Sequence, residues 1–199
     1  MSASSARRLV EHAAAERTRL RRHLLVAAAL REVLERVPIV VGGTAEEYWT
    51  ADEYHPTDLD LCAPLGDADR RALAALGFRK EGRHWIREGL PVAIEFPDSR
   101  IDGDEERTID VSVPGGAARV IGLDDLYLDR LRQATVNEAS AGGTEFQSAL
   151  AVVAARYEDI DWPYVRSRIV TISMAEGPIG ETMRRINSRI TRRIRRSLE

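Results

Sequence analysis

The segment Pro38-Ile39-Val40-Val41-Gly42-Gly43-Thr44-Ala45-Glu46-Glu47-Tyr48-Trp49, followed after a loop by Thr57-Asp58-Leu59-Asp60-Leu61-Cys62, decides the fold. Ile39-Val40-Val41 is a short, wholly apolar run, as a buried strand requires. Gly42-Gly43 breaks that strand, and Thr44 to Trp49 restarts as a helix with Thr44 near its first turn. Ala51 to Pro56 forms a loop. The segment Thr57 to Cys62 then alternates with strand period, so Leu59 and Leu61 point one way and Asp58 and Asp60 the other.

Before Pro38, Leu9, Leu20, Leu24, Leu25, Ala28 and Leu34 recur at helical spacing, predicting one long N-terminal helix from Ser4 or Ser5 to about Glu35. After Cys62, Asp67 opens a helix that ends at Gly77, a residue suited to a left-handed C-terminal position. His84 to Arg87 and Val92 to Phe96 read as a hairpin, and Thr108 to Val113 with Ala118 to Ile121 as a second. Helices are expected over 123–135, 145–157, 161–174 and 179–197. The fold class is therefore α+β, in three stretches. An N-terminal helix spans 1–36, a core spans 37–122, and a helical C-terminal subdomain with a basic tail spans 123–199.

The overall charge of −3 conceals a segregation. Residues 1–36 carry eight Arg against four Glu, and residues 166–199 carry nine Arg against three Glu. The stretch 37–165 is therefore strongly acidic, which suits collection of divalent cations better than contact with a nucleic-acid backbone. The single cysteine, Cys62, excludes an internal disulfide and a cysteine-based zinc cage. No run of about 18 apolar residues exists, so no membrane helix is expected. Met1 to Glu16 carries Arg and Glu instead of an apolar signal core, so the expected compartment is the cytoplasm.

Asp58 and Asp60, two apart on one strand, project from one face. Keeping both ionised calls for a nearby cation, and Mg²⁺ prefers such carboxylate oxygens. The strand–Gly-Gly–helix arrangement upstream offers backbone N–H groups and a helix N-terminus to a polyphosphate. Alone, an Asp-x-Asp pair also fits a solvated strand face, and a Gly-Gly pair fits a plain turn. Their order, with a strand before each, joins them into one site.

Val40-Val41-Gly42-Gly43-Thr44-Ala45 followed by Thr57-Asp58-Leu59-Asp60-Leu61 resembles the signature of the DNA polymerase β-like nucleotidyltransferases. The closer likeness is to minimal bacterial members of toxin–antitoxin and abortive-infection systems (AbiEii-like and MNT-like), over about residues 37–134. Leu76-Gly77-Phe78 and Gly122-Leu123-Asp124-Asp125-Leu126 belong to the shared features. The resemblance implies a nucleotidyltransferase-like mixed β-sheet with flanking helices. It also implies a phosphate loop at Gly42, Gly43 and Thr44, and two Mg²⁺ held by Asp58, Asp60 and a third carboxylate. Glu95 is the candidate for the third, with Asp110 in reserve. Fourteen residues, 44 to 57, separate Gly43 from Asp58, more than the family usually shows. Arg130 stands where many relatives carry Lys, as a candidate phosphate-facing cation.

The implied activity is Mg²⁺-dependent transfer of a nucleoside monophosphate (NMP) from a nucleoside triphosphate (NTP) to a macromolecular acceptor, a protein or tRNA. A cognate toxin or antitoxin is an implied partner. The alternative is a catalytically silent member that binds a partner protein or RNA as an antitoxin module. Met183, Ile186, Ile190 and Ile194 recur at helical spacing among seven Arg, so segment 183–198 is a helix packed by its apolar stripe, an RNA contact, or a helix that docks in a groove on an acidic partner. His55 is a further candidate for nucleotide or metal contact. His84-Trp85 reads as strand packing with an outward His.

Overall fold

The computed structural model describes residues 3–51, 57–136 and 143–198. The chain divides into two compact units, Met1–Tyr48 with Asp52–Gly122, and Trp49–Ala51 with Leu123–Glu199. The first contains α1 (Ala3–Ala15), α2 (Arg19–Arg31), β1 (Ile39–Val40), the start of α3 (Gly42–Thr50), β2 (Asp58–Cys62) and α4 (Asp67–Ala75). It continues through β3 (Arg79–Glu81), β4 (His84–Arg87), β5 (Leu90–Glu95), β6 (Ile109–Val113) and β7 (Gly116–Val120). These strands form one mixed sheet in the order β3-β4-β5-β2-β1-β7-β6. The pairs β2–β5 and β1–β7 are parallel; β1–β2 and the three hairpin pairs are antiparallel.

Where periodicity predicts one N-terminal helix, the chain forms two, broken at Glu16-Arg17-Thr18. Arg22 supplies the reason: its guanidinium donates to the carbonyl of Glu16 at 3.1 and 2.6 Å and to that of Arg17 at 3.4 Å. Carbonyls left open at the end of α1 are thereby satisfied without another helical turn. The break lets α1 bury Ala6, Leu9, Val10 and Ala13, while every residue of α2 from His23 to Leu30 is buried. A helix buried all round lies between two layers. Each fully buried Leu or Val there contributes roughly 1.5–3 kcal/mol relative to exposure.

Leu59, Leu61, Ile94, Val40 and Val120 are buried and lie, by register, on one face of the sheet. Gly116 on the same face lies against Leu9 of α1 and Ala28 of α2. Asp69 braces α4, accepting from the N–H groups of Gly66 at 2.8 Å and Glu35 at 2.9 Å. Sequence periodicity does not foresee β3, whose Arg79, Lys80 and Glu81 are all exposed. It is a charged edge strand, the kind that resists edge-to-edge pairing.

The second unit packs α5 (Leu123–Val136), α6 (Thr144–Arg156), α7 (Trp162–Glu176) and α8 (Pro178–Leu198). Asp161 caps α7 by accepting from Tyr164 N–H at 3.1 Å, and its own N–H donates to Asp124 at 2.8 Å. Trp162 packs edge-on to Tyr127, whose hydroxyl donates to Asn187 on α8 at 2.8 Å. Among the described residues, no helix is long and apolar enough to cross a membrane.

Candidate functional site

Strand register brings four polar side chains to one face of the first unit. In β2–β5, Asp58 lies opposite Ala93 and Asp60 opposite Glu95. In β4–β5, His84 lies opposite Glu95. Paired residues share a face, so His84, Glu95 and Asp60 form a row across three neighbouring strands. Asp58 sits two residues back along β2, on the same face.

Ligand atoms of Asp58, His84 and Glu95 all lie within 4.8 Å of one another. His84 Nε2 is 3.8 Å from Asp58 Oδ2 and 3.7 Å from Glu95 Oε2, too far for hydrogen bonds. Arg83, in the turn between β3 and β4, donates from Nε to His84 Nε2 at 3.3 Å, and the same nitrogen is 3.3 Å from Glu95 Oε2. The Arg83 side chain is 70% exposed; those of Asp58, Glu95 and His84 are half-buried. A groove of ≈ 300 Å³ lined by Arg70, Lys80, Arg83 and Trp85 opens on the other face of the sheet, since Lys80 pairs with Trp85 and Trp85 with Ile94.

Asp60 lies against the turn that opens α3. Val41 N–H donates to the Asp60 carbonyl at 3.0 Å, carrying the β1–β2 ladder to that turn. Gly42 has φ +61, and a Cβ placed on it would come 2.1 Å from Asp60 Oδ2. Only glycine meets both demands, of backbone conformation and of space. The first N–H groups of α3 lack helical partners and carry the positive end of the helix dipole, so this corner is suited to an anion.

Thr44 is fully buried, and its Oγ1 is 2.8 Å from His23 Nδ1. Its side chain thus faces inward, and its backbone N–H is what it can offer at the turn. Burial, with Arg19 and Arg22 adding positive charge nearby, lowers the His23 pKa to about 4. Its ordinary value is 6.5, so between the two the unfolded chain binds the extra proton. Stability is therefore full above about pH 6.5 and falls as pH drops, the loss approaching about 3 kcal/mol below pH 4. Urea unfolding at pH 7 and pH 4.5 checks this, and His23→Gln is expected to lose clearly less over that interval.

Asp110 sits elsewhere. It lies on β6, separated from β2 by β1 and β7, and accepts from Arg31 at 2.7 and 2.9 Å and from Arg119 at 3.2 Å. Hydrogen bonds from Arg31, then from Arg119, hold its carboxyl below the usual range. Glu95, not Asp110, is the carboxylate beside the aspartate pair. Arg130 belongs to the second unit, where it is buried and donates to Gln133 at 2.8 Å, with Asp129 at 3.7 Å. His55 lies outside the described residues. On α8, Met183, Ile186, Ile190 and Ile194 are buried, while Arg184, Arg185, Arg189, Arg192, Arg193, Arg195 and Arg196 are exposed.

His84 and Arg83 escape a reading of the sequence because the β4–β5 register is irregular. A regular hairpin continuing from the pair Arg87–Leu90 would place His84 opposite Ala93, but the register shifts between Ile86 and Arg87. Pro91 has no N–H for the ladder and marks the irregularity, which slides His84 along to Glu95. His23 escapes because its partner lies 21 residues away.

No protein-family profile matches the chain, and no curated protein matches it. A solved structure does: the crystal structure of an antigenic nucleotidyltransferase-like protein from Paracoccidioides brasiliensis. It superposes with a TM-score of 0.54 over 83% of this chain and 92% of that one, at 13% identity. The chain therefore has a nucleotidyltransferase-like α+β fold.

Proposed function

We propose that this chain transfers a nucleoside monophosphate from a nucleoside triphosphate to a hydroxyl group of a protein or tRNA, using divalent metal held by Asp58, Asp60 and Glu95. The observation that carries the reading is the placement of Asp60, beside Glu95 in register and against the Gly42 turn at the start of α3. One corner of the sheet thereby offers carboxylates for cations next to backbone N–H groups for phosphates.

The donor set fits a divalent cation, since Asp58, Glu95 and His84 supply oxygen and nitrogen atoms within one small space. Bound there, such ions, two Mg²⁺ in the simplest form, would neutralise the triphosphate and polarise the α-phosphorus. The backbone N–H groups of Gly42, Gly43 and Thr44 hold the β- and γ-phosphates. Glu95 accepts the proton of the attacking hydroxyl as its oxygen bonds to the α-phosphorus and the bond to the pyrophosphate oxygen breaks. The reading does not depend on Arg130.

The acceptor class, and a place in a toxin–antitoxin pair, rest on the sequence resemblance. On the exposed face of α8, Arg192, Arg193 and Arg196 would contact tRNA phosphates. Replacing all three with Ala is expected to weaken tRNA binding and reduce the salt slope of log K by about 3. Filter binding across a salt series measures it, and an unchanged slope removes the RNA contact.

The experiment for the activity is incubation of the chain with labelled nucleoside triphosphates, Mg²⁺ and a cell lysate. A labelled protein or RNA that disappears with Asp58→Asn plus Asp60→Asn supports transfer. Absence of label with every nucleotide supports the silent, partner-binding reading instead. One observation favours that second reading: Arg83 already sets a positive charge 3.3 Å from Glu95.

A further inference from the structure

The cluster on β2, β4 and β5 differs in one respect from a purely carboxylate site. Its third donor is an imidazole nitrogen, placed between two carboxylates and hydrogen-bonded to neither. His84 Nε2 lies 3.8 Å from Asp58 Oδ2 and 3.7 Å from Glu95 Oε2. Ligands about 2.1 Å from a shared six-coordinate ion stand about 3 Å apart, so small side-chain rotations would bring these three atoms onto one centre. Their backbones are already held by neighbouring strands, which makes the arrangement more exact than one built on loops.

Arg83 adds an independent observation. Its Nε–H donates to His84 Nε2 at 3.3 Å, so that nitrogen is unprotonated and its lone pair, the one a metal would take, is held by Arg83. The same Nε approaches Glu95 Oε2, so a positive charge already sits between the imidazole and a carboxylate. That charge is borne by a side chain 70% exposed, on the two-residue turn Gly82-Arg83. An exposed arginine held by such a pair contributes little to stability, and an ion can displace it cheaply.

Donor type then decides which ion. Mg²⁺ favours an all-oxygen shell with retained waters, whereas a nitrogen donor raises affinity for first-row transition metals. We propose that His84 completes a mixed nitrogen–oxygen site with Asp58 and Glu95, which takes a transition-metal dication such as Mn²⁺ in preference to Mg²⁺. The inference rests on the reading above that this face binds divalent metal, and refines which one. Asp60 stands outside the trio, against Gly42.

The test uses the full chain with metal alone and no nucleotide. Calorimetric titration is expected to show Mn²⁺ binding at least about tenfold tighter than Mg²⁺ in the unaltered protein. His84→Gln is expected to weaken Mn²⁺ at least about tenfold and Mg²⁺ by less than about threefold, the retained Mg²⁺ binding showing that the site is still folded. Pulsed EPR of the Mn²⁺ complex is expected to show nitrogen coupling that vanishes in His84→Gln. Coupling that survives His84→Gln, or is lost only with His55→Gln, overturns the proposal. So does a parallel weakening of Mn²⁺ and Mg²⁺. Failure of the transfer reading looks different: nitrogen coupling would persist while no nucleotide labelled any acceptor. Label transfer by a protein without nitrogen coupling would instead sink the His84 inference alone.

Discussion

Asp58→Asn and Asp60→Asn are each expected to lower nucleotidyl transfer by about 10²–10³-fold, and the pair together by at least about 10³-fold, in a protein that still folds. Phosphoryl transfer asks little covalent work of the protein; positioning and neutralisation of charge carry it. Asparagine keeps the shape of aspartate and removes the charge that, in the proposed reaction, would hold a cation. Folding is spared because the opposite face of β2 supplies the anchors, Leu59 and Leu61, both fully buried. Fewer like charges beside Glu95 also mean less repulsion when no metal is bound, so the melting temperature is expected to stay level or rise. Labelled-nucleotide transfer and thermal unfolding on the same preparations check both halves. Transfer at the unaltered rate in the double variant would remove these aspartates from the mechanism.

Gly42→Ala is expected to abolish detectable transfer while costing only about 1–3 kcal/mol of stability. Part of that cost is conformational: alanine at φ +61 is disfavoured by roughly 1–2 kcal/mol. The rest arises because the new Cβ would lie 2.1 Å from Asp60 Oδ2, an overlap that must be relieved. The atoms in the way all belong to the Asp60 side chain, with Cγ at 2.9 Å and Cβ at 3.0 Å behind Oδ2, so relief asks Asp60 to turn aside and shift slightly, still more cheaply than moving a facing backbone. Stability is then mostly kept, and the carboxylate on which the proposed transfer depends is displaced. Denaturant unfolding of Gly42→Ala, Asp60→Ala and the double variant separates the two terms. In the Asp60→Ala background, Gly42→Ala is expected to cost only its conformational part. A full, additive cost there would show that the contact with Asp60 does not matter.

Much of the local structure is legible along the chain, for reasons that act over a few residues. Gly77 ends the α4 segment at φ +87, and the second hairpin turns at Gly115, φ +88, because only glycine takes those conformations freely. The alternation Asp58-Leu59-Asp60-Leu61 places the aspartates on one face because strand side chains alternate with period two. The isoleucine stripe of α8 is buried because helical residues three and four apart share a face. By contrast, β3 escapes notice, since an exposed edge strand needs no apolar period. The single long N-terminal helix is also divided, because Arg22 reaches back to the Glu16 and Arg17 carbonyls and stabilises a break that local propensity does not demand.

The candidate site divides along the same line. Taken alone, the sequence determined that Gly42-Gly43 follows a buried strand and that Asp58 and Asp60 share a face, because chain chirality and side-chain period are local properties. Tertiary structure alone decided that Glu95 stands beside Asp60 while Asp110 is held by Arg31 and Arg119 at the other end of the sheet. It alone brought His84 and Arg83 to the carboxylates and turned the Thr44 hydroxyl toward His23. Which strands become neighbours, and in what register, is set by burying one apolar face against α1 and α2 and by an irregularity at Pro91. Those are long-range packing terms, and no window of sequence a few residues wide contains them.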